Sequence, residues 1–562
     1  NTSLKINQKL DFVTKGLSVQ AMVNWKNWAS SSYNRTIEPY YYGIKGGSYN
    51  PSNPTDYEIE RLGTSGTDYL KTSDISKASD QTFYLDARVN YDRQFNLHHV
   101  TGMLMYMQRE YRSSVLPERN QGFSGRFTYD YGQRYLVELN FGYNGTERLA
   151  KKERFEFFPA VSLGWVISNE KFFEPMTKYI DNLKIRGSYG LVGSDETGLS
   201  AGAQHFLYID QVSLNNIGFT TGVDMNYTLY GPLVTNYAVV NGGWERVKKL
   251  DIGIDLELFR QLTITADYFN EKRYNILLHR EAWPESLGYY TAKPWSNKGK
   301  VDNWGIELSV NWRKEFTKDL YVDFRGNFTY TENKYVNLDE PVYPYVWKTS
   351  TGKPLSRTTG YIAQGLFSSQ EEIDNSPTQN LGSTVKPGDI KYRDVNGDGK
   401  IDGSDQVMIS PYGTTPRIQY GLGMNVTYKK FDFGVFFNGS AKRTIMISGI
   451  SPFGQSDYNV MQFIADDYWS ESNPNPNAKY PRLGLTSSQT ANNTVASTYW
   501  MRNGNFIRFK TLELGYKFKY GRVYLNGDNI AVFSPFKLWD PELSWNAYPL
   551  QRTFNIGVQL NF

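Results

Sequence analysis

The feature that most limits the fold of this 562-residue chain is an alternation of apolar and polar residues with a period of two. It is sustained in runs of about ten residues. Leu250, Ile252, Ile254, Leu256 and Leu258 alternate with Asp251, Asp255 and Glu257. After an Arg260-Gln261 turn, Leu262, Ile264, Ala266 and Tyr268 alternate with Thr263, Thr265 and Asp267. The pairing recurs as Ile306, Leu308, Val310 and Trp312 followed by Leu320, Val322, Phe324, Phe328 and Tyr330. It recurs again as Leu422, Met424, Val426 and Tyr428 followed by Phe431, Phe433, Val435 and Phe437. Successive side chains of a strand point to opposite faces, so each run places its apolar residues on one face. No long segment has the three-and-four spacing of a helix, and the chain reads as all-β.

The connections are asymmetric. Tight turns join the strands within a pair, whereas long polar segments (about 27–82, 191–246, 331–416 and 440–502) separate the pairs. Connections of that length are uncommon in compact soluble domains and usually carry function. Short strands, short turns at one end and long loops at the other describe a transmembrane antiparallel β-barrel with short periplasmic turns and long extracellular loops. A closed barrel is required because an open sheet edge in hydrocarbon leaves backbone groups unpaired. Trp25, Tyr91, Tyr143, Trp312 and Tyr330 at strand ends suit the aromatic girdles at the membrane interfaces.

Composition agrees. Aromatics make up 16% of the residues and there are 49 glycines, unusual for a soluble enzyme but suited to strands with one face in lipid. There is no cysteine, which excludes a disulfide scaffold, an iron–sulfur cluster and a thiol nucleophile. A net charge of +4 is too dilute to predict nucleic acid as a partner. No run of 18 apolar residues predicts a membrane-spanning helix. The opening NTSLKINQKL lacks the pattern of a secretion signal.

The final strand reads Phe554, Ile556, Val558, Leu560, Phe562, alternating to the last residue. A terminal strand ending in an aromatic resembles the signal by which outer-membrane barrels are recognised for insertion. The competing expectation is an edge strand of a soluble sandwich, where an exposed apolar edge is an aggregation hazard. About 17 strands are expected from turn and alternation signals. Single-chain barrels have even numbers, and a plugged transporter of 22 strands would leave about five strands upstream of this segment.

The most specific local motif is DVNGDGKIDGSD, residues 394–405. It follows the calcium loop, with oxygens expected from Asp394, Asn396, Asp398, the Lys400 carbonyl, Asp402 and Asp405, and glycine at the sharp turn. Position twelve is Asp instead of the usual bidentate Glu, and no flanking helices are evident. The expectation is a structural Ca²⁺ stapling the 331–416 loop, set against a solvated Asp/Gly turn.

Catalysis is not expected. His98, His99, His205 and His279 lack a second histidine at metal-ligand spacing. Neighbouring carboxylates such as Glu371-Glu372 and Asp466-Asp467 do not by adjacency supply the set separation glycoside hydrolysis needs. Loop aromatics are the better candidates for binding: Tyr41, Trp283, Tyr290, Trp295, Tyr345, Trp347 and Trp469. Their rings can stack on substrate, anchor a lid protein, or pack a large loop. FFEPMTKYIDN (172–182) falls at an inner turn and suggests a short helix.

Eight ordered segments carry a resemblance. They are YGQRYLVELNFGYNGTERLAKKERFEFFPAVSLGWVISNEKFF (131–173), LKIRGSYGLVG (183–193), WERVKKLDIGIDLELF (244–259) and NKGKVDNWGIELSVNWR (297–313), then GYIAQGLFSSQEEI (360–373), GDIKYRDVNGDGKIDGSDQ (388–406), PRIQYGLGMNVTYKKFDFGVFFNGS (416–440) and NFIRFKTLELGYKF (505–518). Together they resemble the C-terminal barrel portion of SusC/RagA-type TonB-dependent outer-membrane transporters of Bacteroidetes. By that resemblance residues 1–562 are expected to form the barrel domain, with the family's signal peptide, small N-terminal domain, TonB box, plug and first strands having no counterpart here. The resemblance implies active import of an oligosaccharide or peptide, a SusD-like surface lipoprotein as lid, TonB as energy source, and a dimer of transporter–lid pairs. The alternatives are a passive porin- or adhesin-type barrel and, from another class, a secreted calcium-binding β-rich enzyme or lectin. The last predicts extraction without detergent.

Overall fold

A computed structural model describes residues 1–113, 116–196, 207–239, 242–287, 293–447, 460–484, 486–543 and 547–561. Among these, seventeen long strands belong to one sheet. In chain order they are β1 (Thr2–Lys9), β2 (Leu17–Ser32), β3 (Ser76–Phe95), β4 (His98–Arg112), β5 (Glu118–Tyr131), β6 (Tyr135–Thr146), β7 (Phe155–Val166), β8 (Ile180–Ser194) and β9 (Glu245–Leu258). Then come β10 (Leu262–His279), β11 (Trp295–Thr317), β12 (Leu320–Asn337), β13 (Ile418–Tyr428), β14 (Phe431–Ala441), β15 (Phe506–Phe518), β16 (Gly521–Phe533) and β17 (Thr553–Leu560). The expected number and order of strands are both observed. No described helix is long and apolar enough to cross a membrane. The expected helix at 172–182 is a pair of short 3₁₀ turns, Ile167–Asn169 and Lys171–Met176.

By internal contacts the chain forms two compact units. The first comprises residues 1–92, 102–125 and 143–147, and the second 93–101, 126–142 and 148–562. In the first, β1 pairs antiparallel with β2 (Leu4 opposite Val23) and β2 with β3 (Val23 opposite Leu85). In the second, each strand from β7 to β17 pairs antiparallel with the next.

The register of the second unit sorts side chains by face. Ile254 lies opposite Ala266, Ala266 opposite Leu308 and Leu308 opposite Phe328. Further along, Phe433 lies opposite Leu514, Leu514 opposite Leu525 and Leu525 opposite Ile556. Ile254, Leu308, Phe328, Leu514, Leu525 and Ile556 are exposed, from Phe328 at 36% to Ile556 at 80%, with Ala266 and Phe433 half-buried between them. Soluble monomers rarely leave aligned apolar residues of neighbouring strands exposed in this way. Such a row is the surface expected of strands that meet lipid.

The opposite face carries charge. Arg186 of β8 contacts Asp251 at 3.1 Å, Asp255 at 3.3 Å and Asp267 at 2.5 Å. Arg522 of β16 is paired with Asp432 and Glu513. Both clusters reach across an intervening strand, and both cross it at a glycine. A Cβ at Gly253 would collide with Asp267 and Arg186, and one at Gly515 with Asp432 and Arg522. Elsewhere an aromatic ring takes the vacant place: Phe269 lies opposite Gly305, Tyr420 opposite Gly439 and Tyr524 opposite Gly557. In each case the ring occupies the volume a Cβ would need. This pairing of rings with strand glycines gives both residue types a place in the same sheet.

Several strands exceed the 9–11 residues a tilted strand needs to cross a bilayer. β11 runs for 23 residues, and β10 and β12 for 18 each. In β11 the alternation covers Ile306 to Trp312, while the preceding WSNKGKVDN is largely polar. Backbone pairing with neighbours extends these strands beyond the stretch legible from hydrophobicity.

Candidate functional site

The long connections of the second unit are a folded body. Its core contains Tyr361, Leu366, Ile390, Tyr392 and Ile401 from the β12–β13 connection. It also contains Ile445, Ile447, Ile464, Trp469, Ala478, Tyr480 and Trp500 from the β14–β15 connection, and Phe536 from the β16–β17 connection. Ile390, Ile401, Ile464 and Trp500 are fully buried. Glycine makes room here too: a Cβ on Gly388 (φ +86°) would enter the Trp469 ring.

A buried polar network ties the two longest connections together. The helix Ser487–Thr494 presents Asn492 and Asn493 to the segment Asp389–Tyr392, about a hundred residues earlier in the chain. Asn492 Nδ2 donates to the Ile390 carbonyl at 2.9 Å, and Ile390 N–H donates to Asn493 Oδ1 at 2.9 Å. Gln379 Nε2 donates to the same Ile390 carbonyl and to Asn492 Oδ1, while its own carbonyl accepts from Tyr392 N–H at 2.7 Å. Trp500 Nε1 donates to the Asn493 carbonyl at 2.7 Å. Asp389, fully buried, pairs with Arg482 at 2.6 Å and accepts from Asn493 Nδ2 at 2.7 Å. Burial pushes the Asp389 carboxyl up from its ordinary value, against the pull of Arg482. Burial likewise raises the Tyr392 and Tyr499 hydroxyls. A buried polar group without a partner costs about 1–3 kcal/mol, and here removing one member would leave several such groups unpaired.

The calcium-like motif lies on this body as a tightly wound turn. Asp394 accepts from the N–H groups of Gly397 and Gly399, at 2.6 and 2.8 Å, and those glycines take φ of +76° and +81°. Asn396 Oδ1 accepts from Asp398 N–H, Asp398 from Lys400 N–H and Asp402 from Ser404 N–H. Asp405, fully buried, closes the loop by accepting from Val395 N–H at 2.8 Å and Asp402 N–H at 2.9 Å. The 3₁₀ turn Gly403–Asp405 ends the motif in place of a helix. Among the described residues no three of His, Asp or Glu gather into a metal-holding group.

Two of the loop aromatics singled out above are bound to this motif. Tyr345 and Trp347 stack at 4.8 Å. Trp347 Nε1 donates to the Ser404 carbonyl at 2.8 Å, and Asn396 Nδ2 to the Tyr345 hydroxyl at 3.0 Å. Trp469 is buried in the loop core at 6% exposure and serves packing. Trp295 opens β11 with its ring 3.6 Å from His279, and Arg280 sits over Trp283 at 5.0 Å. Tyr41 is exposed, on the short pair Tyr41–Ile44 and Ile59–Leu62. Tyr290, His205 and Phe562 lie outside the described residues. Phe554, Ile556, Val558 and Leu560 form the exposed apolar side of β17. The network residues Gln379, Asp389, Arg482, Asn492 and Asn493 were not anticipated, since polar residues in a polar loop carry no local sign of burial.

A family model described as TonB dependent receptor-like, beta-barrel, matches residues 2–530. The chain belongs to that family. Its members are outer-membrane β-barrels of a transporter class, and the exposed apolar rows of this barrel chain are its lipid-facing surface. TonB-dependent receptor P3 of Formosa agariphila is 25% identical over 478 residues, covering 78% of this chain and 45% of the relative. TonB-dependent receptor SusC of Bacteroides thetaiotaomicron is 27% identical over 469 residues, covering 78% of this chain and 43% of the relative. The chain thus spans under half the length of these relatives. Among solved structures, the RagAB peptide transporter superposes with a TM-score of 0.67 at 18% identity, over 98% of this chain and 60% of that one. That likeness confirms the barrel fold.

Proposed function

We propose that this TonB-dependent barrel imports a large nutrient, an oligosaccharide or peptide, across the outer membrane on energy delivered through TonB. A SusD-like surface lipoprotein would cover its mouth, and pairs of transporter and lid would dimerise. The observation that carries this reading is the packed loop body: a barrel that only leaks solute has no need of a cross-linked platform built from two connections of more than sixty residues. Family membership and the relative named SusC support it. The test is growth on, and uptake of, candidate oligosaccharides and peptides in cells with and without this protein, and with and without TonB. Uptake that depends on this protein but persists without TonB would indicate the passive porin reading.

The same reading includes a structural Ca²⁺ at residues 394–405. Its support is the oxygen spacing and the wound loop, in which each carboxylate keeps lone pairs beyond those bonded to backbone N–H groups. The ion would hold Asp394, Asn396, Asp398, the Lys400 carbonyl, Asp402 and Asp405, with no part in catalysis. Bound calcium surviving exhaustive dialysis, and faster proteolysis of 331–416 in Asp398→Ala, are expected. Unchanged proteolysis with no retained metal would remove the ion from the account.

A further inference from the structure

On the loop body a recess of about 440 Å³ opens between residues 478–480, 499–502 and 535–538. Its floor is aromatic: Tyr480 and Phe536, exposed by 5% and 4%, with Tyr499 beside them. Three cations, Lys479, Arg502 and Lys537, stand around it, and its other lining residues are aliphatic. Arg502 is half-buried, and its Nη1 donates to the backbone carbonyls of Tyr499 and Met501 at 2.7 and 3.0 Å. It has no carboxylate partner among the described residues. Lys479 is itself paired with Asp467 at 3.6 Å, which leaves Arg502 and Lys537 as the uncompensated cations of the lining among the described residues. The recess therefore combines an apolar floor with an excess of positive charge and a guanidinium whose orientation is already set by two neutral acceptors.

We propose that this recess captures the C-terminus of an oligopeptide. The terminal carboxylate would meet the open edge of Arg502, where a fork of N–H donors matches a carboxylate in two parallel bonds. An apolar last side chain would lie against Phe536, Leu538 and Tyr499. A neutral sugar fits less well, because the lining offers no Asn, Gln, Asp or Glu to hold hydroxyls, and the Tyr499 hydroxyl already donates to the Ala478 carbonyl at 3.1 Å. The inference deepens the import reading by choosing peptide over glycan, but binding is measured in detergent without TonB. Its failure would leave import intact, and loss of import would leave it intact.

The experiment is fluorescence anisotropy of an N-terminally labelled tetrapeptide ending in leucine, as free acid and as C-terminal amide, titrated with the purified protein. The acid is expected to bind at least about tenfold more tightly, the scale of one hydrogen bond to a charged group. Arg502→Gln should abolish the preference, and Lys537→Gln, at an exposed position, should weaken the acid by a smaller factor. Unchanged proteolysis of residues 460–505 shows that the variants are folded. Equal binding of acid and amide overturns the proposal, as does a preference that survives Arg502→Gln. So does Arg502-dependent binding of lipid A vesicles or oligogalacturonate with no peptide preference, which would make this a phosphate or glycan site.

Discussion

The sheet and the loop body of the second unit use apolar residues in opposite ways. On the sheet, Ile252, Ile254, Ile306, Leu308, Leu514 and Leu525 stand exposed, and the charged groups gather on the other face. In the loop body Trp500, Ile390, Ile401 and Ile464 are sealed from solvent, and charge lies outside or in paired networks. One chain is folded against two solvents. Lipid supplies the apolar environment for the strands, so their stability rests on closed backbone pairing and on the polar face. The loops meet water, so they must build an ordinary core of their own.

Five substitutions test this contrast. The largest effect is expected from Trp500→Ala, which empties the centre of the loop core and removes the donor to Asn493. It should cost about 3–5 kcal/mol of loop-body stability, read as faster hydrogen exchange in 361–401 and 462–500 with unchanged exchange in β9–β12. Loss of protection in both regions together would mean that sheet and loops are one cooperative unit. Next, Leu308→Arg places a charge on the lipid row and should cost roughly 2–4 kcal/mol in folding into bilayers. A neutral outcome would remove Leu308 from the lipid-facing surface. Third, Gly515→Ala drives a methyl into the Arg522–Asp432 pair and should cost about 1–3 kcal/mol by overpacking. The same change at Gly102, where the backbone is not left-handed and a Cβ meets nothing within 4 Å, should be close to neutral.

The smallest effect concerns pH. Glu372 lies in the first turn of the short helix α1 (Gln370–Asp374), and its carboxyl is held below the usual range by the Ser368 N–H and by Lys391. A lowered folded value means that its contribution is present above the unfolded pKa, near 4.3, and fades as pH falls through the folded value. Because the side chain is 31% exposed, that contribution is a few tenths of a kcal/mol. Protection of amides 368–376, corrected for intrinsic exchange, should decline in acid in the native protein and stay flat in Glu372→Gln.

Most of the sheet was legible in advance. Leu250 to Leu258 and Leu262 to Tyr268 read as a hairpin, and they pair in the register their alternation requires, Leu258 opposite Leu262 and Ile254 opposite Ala266. What hydrophobicity under-read was length, because β11 continues through polar residues that its neighbours hold by backbone bonds. The calcium-like motif was legible as a turn from its spacing. The loop aromatics were legible only as a group: nothing around Trp469 distinguishes it from Tyr41, yet one is core and the other exposed.

By itself, the amino-acid sequence determined strand identity, strand order, the apolar face and the short-turn side, because a period of two is a property of neighbouring residues. It could not place Asn492 against Ile390 or Tyr345 against Asn396. Those contacts join residues separated by 102 and 51 positions, and no local pattern announces them. The tertiary structure decided them, since burial in a non-periodic loop depends on which distant segment arrives to cover it.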